Sequence, residues 1–327
     1  MTRLAALDLG SNSFHLLVAD QRPRDRIKRV ATRKLTIRLG EPVARNGKLG
    51  ADAYARAVRA FGVLVATADE EGTDAIVAVA TDALRVAEDG QDFRDQMQAD
   101  HGIPIQLLTG LDEASLSLRG MASALNLPST EQVLGLDLGG GSFEIALGSS
   151  VGLVAGASLP LGGAKLLDRI SDPPRLHEQA ALHDHAMALL RRAADDILSH
   201  RTAAGPLTAI GTAGTIRDIG RLGLTMAGGS APAKIRGMMV SRDQLELAYA
   251  KLCSVDVHDR MDLPGVSSKR ADLLPGAGVA VLAVMEAFGL PALTLCDWGL
   301  REGVLLDVVS GGEDGGQIVR SDMVVGR

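Results

Sequence analysis

Aromatic residues are scarce in this chain: one tryptophan, two tyrosines and five phenylalanines, 2% of 327 residues. Hydrophobic residues still reach 46%, so a sizeable core has to be built from Ala, Val, Leu and Ile. Cysteine is nearly missing. Cys253 and Cys296 are too few and too far apart for a disulfide framework or a zinc site, and both read as apolar core. Excess positive charge is lacking too. The formal net charge of -6 argues against a general nucleic-acid or membrane binder, since either needs a basic surface. The longest apolar stretches, such as 276–285, are shorter than a bilayer-crossing helix and contain glycines. Residues 1–3 lead straight into a strand-like segment without the long apolar region of an export signal. The expectation is a cytoplasmic protein without nucleic-acid or membrane partners, which must meet any anionic substrate locally.

What is present is a repeat. Residues 4–14, LAALDLGSNSF, recur as residues 133–143, VLGLDLGGGSF, an offset of 129. That interval is about one domain long, and the whole chain exceeds the size at which one core usually keeps growing. Two related lobes, each opening with a buried strand and a Gly/Ser turn, follow.

In the first lobe, strands are expected at 4–9, 14–20, 27–39, 75–80 and 105–108, with a helix from 50 to about 71. The second repeats the plan through 133–147 and 153–159 and breaks at Ser171-Asp-Pro-Pro174. A long helix over 176–200 follows, then a strand at 207–210 that ends in Gly211-Thr-Ala-Gly-Thr215. Ser241 and Gln244 form a capping box. Helices at 276–288 and 301–309 flank a strand at 293–296, and the Gly-rich tail after Ser310 reads as loosely ordered.

A strand ending in Asp-Leu-Gly before small residues suits a metal-phosphate site. The carboxylate, Asp8 or Asp137, can face magnesium, while Gly10, Ser11, Asn12 and Ser13, or Gly139, Gly140, Gly141 and Ser142, bring backbone N–H groups and a hydroxyl to phosphate. Gly211, Gly214 and Thr215, ahead of a helix, make a third such turn. Glu144 follows the second loop and adds a carboxylate near Asp137. Glu113, at the start of a helix, reads by position alone as a partner of the helix dipole. No histidine stands in a motif beside a serine or cysteine nucleophile, so covalent catalysis is not implied.

Taken in order, the motifs resemble those of the exopolyphosphatase and guanosine pentaphosphate phosphatase (Ppx/GppA) family. The match covers residues 8–14, Val79-Ala-Thr-Asp-Ala-Leu-Arg85, 110–114, 137–144, Leu159-Pro-Leu-Gly162, 211–215, Leu263-Pro-Gly265 with Arg270, and Gly299-Leu-Arg-Glu-Gly303. The resemblance implies two duplicated α/β domains of the ribonuclease H-like, actin-like superfold, with a cleft between them. Their spans would be 1–122, with a final helix at about 304–327 returning to it, and 123–303, in the short two-domain form of the family. It further implies Glu113 as the catalytic glutamate that activates water, and Asp137 as the magnesium ligand, aided by Glu144 and Asp8. Manganese would serve in place of magnesium, and a monovalent cation would be accommodated.

Arg85, Lys165 and Arg270 fall in family-like segments as phosphate contacts. Asp112 stands where the family usually has Glu, and Lys165 where arginine is common, which keeps the charge but loses the guanidinium fork. The implied substrate is inorganic polyphosphate or guanosine pentaphosphate, with a homodimer as the default assembly. A kinase of the same superfold and an actin-type assembly protein are the competing classes. The basic run Arg22, Arg24, Arg26, Lys28, Arg29, Arg33, Lys34 and Arg38 reads as the solvated face of a hairpin, or in part as a guide for an extended polyanion. Arg301 and Glu302 read as an internal ion pair.

Overall fold

The two copies of the repeat open two units, each with its own sheet and core. The computed structural model describes residues 2–202, 205–230, 232–311 and 318–327. Unit 1 comprises Met1–Ser123 and Trp298–Arg327, and unit 2 comprises Ala124–Asp297.

Unit 1 starts with an antiparallel meander of β1 (Arg3–Leu9), β2 (Ser13–Arg22) and β3 (Arg26–Thr36). β1 lies inside the sheet and is almost continuously apolar. β3 lies at the edge, alternates in exposure and carries the basic residues, which discourages edge-to-edge pairing. Helices α1 (Gly40–Asn46) and α2 (Gly50–Glu70) come next. β4 (Ala75–Ala80) then pairs parallel with β1 and leads to α3 (Asp82–Val86) and α4 (Gly90–His101). β5 (Ile105–Leu107) pairs parallel with β4, and α5 (Gly110–Leu125) follows. Three of the five phenylalanines gather in this core, with Phe93 6.2 Å from Phe14 and 6.4 Å from Phe61 between ring centroids.

Unit 2 repeats the meander as β6 (Val133–Leu138), β7 (Phe143–Ser149) and β8 (Gly152–Leu159), followed by α6 (Gly163–Leu167) and α7 (Leu176–Ser199). β9 (Ala209–Thr212) pairs parallel with β6, as β4 does with β1. After α8 (Gly214–Met226) come β10 (Met239–Ser241), α9 (Arg242–Cys253), α10 (Val257–Met261), α11 (Leu274–Ala287) and β11 (Ala292–Leu295). The sheet order is β10-β11-β9-β6-β7-β8. The Ser241 and Gln244 capping box forms at the start of α9. Cys253 and Cys296 are both buried, and neither is in a disulfide. Among the described residues, no helix is long and apolar enough to cross a membrane.

Four readings of the sequence change. The third strand runs through Thr212, so Gly211 lies in β9 and the turn shrinks to Ala213. The last helix, α12 (Leu300–Ser310), packs on β1, β2 and β3 of unit 1, but it ends at Gly311 instead of continuing. The tail is partly regular. Residues 312–317 lie outside the described residues, and β12 (Val324–Gly326) pairs antiparallel with Ala75–Val77. β5 pairs with Ala78–Ala80, so two short strands cover one edge of β4 end to end. Finally, Glu302 pairs with Arg29 and not with Arg301: Arg29 Nη2 lies 2.6 Å from Glu302 Oε1, and its guanidinium sits 5.4 Å above the Trp298 ring. One member of the basic run is therefore an internal strut.

Candidate active site

In unit 1 the parallel strands β1, β4 and β5 end in step, with Leu9 opposite Ala80 and Ala80 opposite Leu107. The turns after them carry Gly10–Ser13, Thr81–Arg85 and Thr109–Glu113. Substrates of open α/β sheets meet the sheet at the carboxyl ends of its strands. The turns are tied together: Thr81 N donates to Leu9 O (3.4 Å), Leu108 N to Ala80 O (3.0 Å), and Ala83 N to Ser11 Oγ (3.1 Å). Arg85 Nη1 donates to Glu113 Oε1 at 2.8 Å and also to the Leu108 carbonyl. The Glu113 side chain is only 8% exposed, so Arg85 fixes the direction in which a nearly buried carboxylate points.

The first loop bends because Gly10 N donates to Ser13 O (3.2 Å). Its outer side is held by the segment after β3. Gly40 N donates to Ser11 O (2.9 Å), and Ile37 and Arg38 N both donate to Asn12 O. A planar peptide points its C=O and N–H in opposite directions, so the Asn12 N–H faces away from that segment. Ser13 is 4% exposed, and its hydroxyl has no hydrogen-bond partner among the described residues. A buried donor without a partner is rare, and a phosphate oxygen would satisfy it.

Unit 2 builds its site by the same rules. Gly139 N donates to Ser142 O (3.0 Å), matching the first loop. Gly163 N holds the Gly139 carbonyl (3.1 Å) and Ala164 N the Gly140 carbonyl (2.9 Å). The N–H groups of Gly140 and Gly141 are thereby turned to the opposite side, two in succession, which is an anion-binding arrangement. Asp137 and Glu144 are directly opposite each other in the β6–β7 register, and Glu144 is opposite Ser158 on β8. Ser158 Oγ donates to Glu144 Oε1 at 2.8 Å, and Glu144 is only 5% exposed. Directly opposed side chains sit about 5 Å apart at Cβ, and like charges there are unfavourable without a counter-ion.

This pair tests the fit of a divalent metal. Among the described residues, no three His, Cys, Asp or Glu side chains group as a metal cage. Two opposed carboxylates beside a Gly-rich loop would suit magnesium, which keeps waters and takes its remaining ligands from substrate phosphate, better than zinc. The corresponding pair in unit 1 is Asp8 opposite His15, so Asp8 lacks the second carboxylate that Asp137 has.

Several expected phosphate contacts have other duties. Thr215 Oγ1 donates to the Leu138 carbonyl at 2.9 Å, which leaves its backbone N–H as its donor. Gly211 packs against Ile216, where an added Cβ would come within 2.8 Å of Cγ2. Arg270 is gripped on two nitrogens by Asp218, both at 3.0 Å, and Asp218 is 1% exposed. Its guanidinium lies across Gly214, whose missing Cβ makes the room. Lys165 is exposed on α6. Ala213, before Gly214, takes φ 76° and ψ 163°. Such a conformation is essentially restricted to glycine and costs an alanine about 1–3 kcal/mol, and this kind of strain concentrates at functional sites.

Asp218 and Gly162 carry roles not read from the sequence. A Cβ on Gly162 would come within 2.5 Å of Gly140 C and O. Its φ of -64° suits alanine, so Gly162→Ala acts by contact alone. The loop would have to move by about 1 Å, enough to cost about 100-fold in kcat/KM. Phosphate-release kinetics on a variant with an unchanged melting temperature checks this; unchanged kinetics would show that the loop does not hold substrate.

The sequence profile of the Ppx/GppA phosphatase family matches residues 17–311. The chain belongs to the Ppx/GppA phosphatase family. Exopolyphosphatase 1 of Mycobacterium tuberculosis is 31% identical, covering 98% of this chain and 92% of its own. The guanosine-5'-triphosphate,3'-diphosphate pyrophosphatase of Vibrio cholerae is 26% identical, covering 93% of this Ppx/GppA member but 59% of its own length. Among solved structures, the Aquifex aeolicus Ppx/GppA family member superposes with TM-score 0.80 at 25% identity, over 95% of this chain and 99% of that one. An exopolyphosphatase from Cytophaga hutchinsonii gives TM-score 0.85 at 24% identity, covering 96% of this chain and 100% of its own, and shares its fold. This Ppx/GppA chain thus has a mixed α/β fold shared with these structures, with the strand plan of one unit repeated in the other.

Proposed function

We propose that this Ppx/GppA chain is an exopolyphosphatase, which hydrolyses the terminal phosphoanhydride of inorganic polyphosphate and releases orthophosphate. The observation that carries the reading is the opposed pair Asp137 and Glu144 beside a loop whose successive amides face one way. The pair would hold magnesium, or manganese in its place, and the ion would supply charge neutralisation for the phosphates. Phosphoryl transfer needs positioning and charge stabilisation more than covalent chemistry. In unit 2 the amides of Gly140 and Gly141 bind phosphate oxygens, and in unit 1 the Asn12 amide and the Ser13 hydroxyl offer donors of the same kind. Glu113, oriented by Arg85, accepts a proton from water as its oxygen bonds to the terminal phosphorus. The bridging P–O bond breaks, and its electrons leave with the shortened chain.

Polyphosphate is favoured over guanosine pentaphosphate because the exopolyphosphatase relative is matched along nearly all of its length, the nucleotide phosphatase along 59%. The reading also includes a cytoplasmic setting and a homodimer, the latter checked by sedimentation. The test is orthophosphate release from both substrates, with and without a chelator. We expect release from polyphosphate, abolished by chelation, and a metal requirement raised about tenfold or more in Asp137→Asn. Release indifferent to chelation, or confined to the nucleotide, would overturn the reading.

A further inference from the structure

The segment that clamps the first loop opens onto a cavity of about 300 Å³ in unit 1. Arg38, whose N–H donates to Asn12 O at 3.0 Å, takes φ 55°, uncommon for a residue other than glycine, and lines this cavity. Arg45 of α1 and Arg56 of α2 line it too.

These guanidiniums differ from their neighbours in the basic run. Arg29 is fixed on Glu302, Arg33 donates to Thr67 Oγ1 at 2.6 Å, and Arg22 meets Asp20 at 3.6 Å. Arg45 makes no ion pair among the described residues. Arg56 reaches the Ile37 carbonyl only at 3.3 and 3.4 Å. Arg38 meets Glu41 at 3.4 Å with both side chains about half exposed, a pair a stronger anion displaces at little cost. Glu41 and Asp52 also line the cavity, so three planar forks face two carboxylates. Guanidiniums thus outnumber carboxylates along this lining, and they are donors shaped for phosphate.

We propose that this cavity is a remote-phosphate subsite, which receives phosphate groups behind the one held by the first loop. It rests on the phosphatase reading above. The backbone bonds from Arg38 and Gly40 to the loop fasten the cavity's wall directly to it. The polyphosphate chain is the favoured source of these groups; the 3'-diphosphate of guanosine pentaphosphate offers the same chemistry.

The test is the double variant Arg45→Ala/Arg56→Ala, two exposed positions outside the catalytic loops. For long-chain polyphosphate KM should rise about tenfold, the salt dependence of log KM should flatten, and kcat should hold. Tripolyphosphate, too short to reach back, should be unaffected, and Arg45→Lys/Arg56→Lys should recover part of the loss. The same selective rise with guanosine pentaphosphate instead of the polymer would support the subsite with the nucleotide as its source. Equal losses on tripolyphosphate, or none on either longer substrate, would overturn it. If the wild type releases phosphate from nothing, the phosphatase reading fails by itself. Anisotropy of end-labelled long polyphosphate on wild type and double variant then decides the subsite, and identical affinity refutes it.

Discussion

Replacing Glu113 by Gln is expected to lower the turnover of polyphosphate by a factor of about 10² to 10⁴ while leaving KM within a few-fold. The amide has nearly the shape of the carboxylate, and its oxygen can still accept the Arg85 hydrogen bond now made at 2.8 Å. Arg85 also keeps the Leu108 carbonyl and lies 3.7 Å from Asp82. Structure should therefore survive, with a loss of about 1–3 kcal/mol from exchanging a charge-assisted bond for a neutral one. What the amide lacks is the capacity to take a proton from water. Single-turnover phosphate release beside a binding titration separates the two effects. Wild-type turnover in Glu113→Gln would leave Glu113 as a structural partner of Arg85 and remove it from the chemistry. Arg85→Lys tests the orienting role: a single ammonium cannot span Leu108 and Glu113 as the fork does, so kcat should fall with KM little changed.

The repeated strand-and-loop motif was legible because it encodes local geometry twice. Asp8 and Asp137 close their strands, and Gly10 and Gly139 make the same bond to Ser13 and Ser142. Offsetting the repeats also aligns His15 with Glu144, and the structure shows why that matters: each sits opposite the motif aspartate, and only the second position supplies an acid. Partners distant in sequence were not legible. Nothing near Arg29 announces Glu302, 273 residues away. The grip on Arg270 was hidden in the same way, but Asp218 left a signal. It shares a helical face with Thr215, Ile219 and Leu222, all buried, and a carboxylate on an apolar stripe calls for a buried cation. β12 was missed because three residues after a glycine-rich stretch are too few for any periodicity.

The second large effect concerns the glycines of α5 and α12. Exchange of Gly303 for alanine should destabilise unit 1 by about 3 kcal/mol or more, at the upper end of overpacking costs. By helix propensity alone the same change would stabilise by about 1 kcal/mol, so the sign of the result is diagnostic. A Cβ at Gly303 would overlap the Leu116 carbonyl and come within 3.0 Å of Leu116 Cα. Its counterpart, a Cβ at Gly120, would meet Gly299 C at 3.1 Å. The two helices thus cross backbone to backbone, and neither can yield without lifting α12 from β1, β2 and β3. That lift would disturb Glu302 and Asp307, each 1% exposed, on their partners Arg29 and Arg119. α5 begins with the turn that carries Glu113, so a displaced α5 should also lower activity. Trp298 is the single tryptophan and belongs to unit 1, which makes its fluorescence a local thermometer: the midpoint should fall by about 10 °C. Gly62→Ala in α2 is the control, since its Cβ would lie 3.6 Å from His101 Cε1, an ordinary contact, and there the propensity gain should appear undiminished. A midpoint that rises in both variants would mean that α5 and α12 are not held in backbone contact.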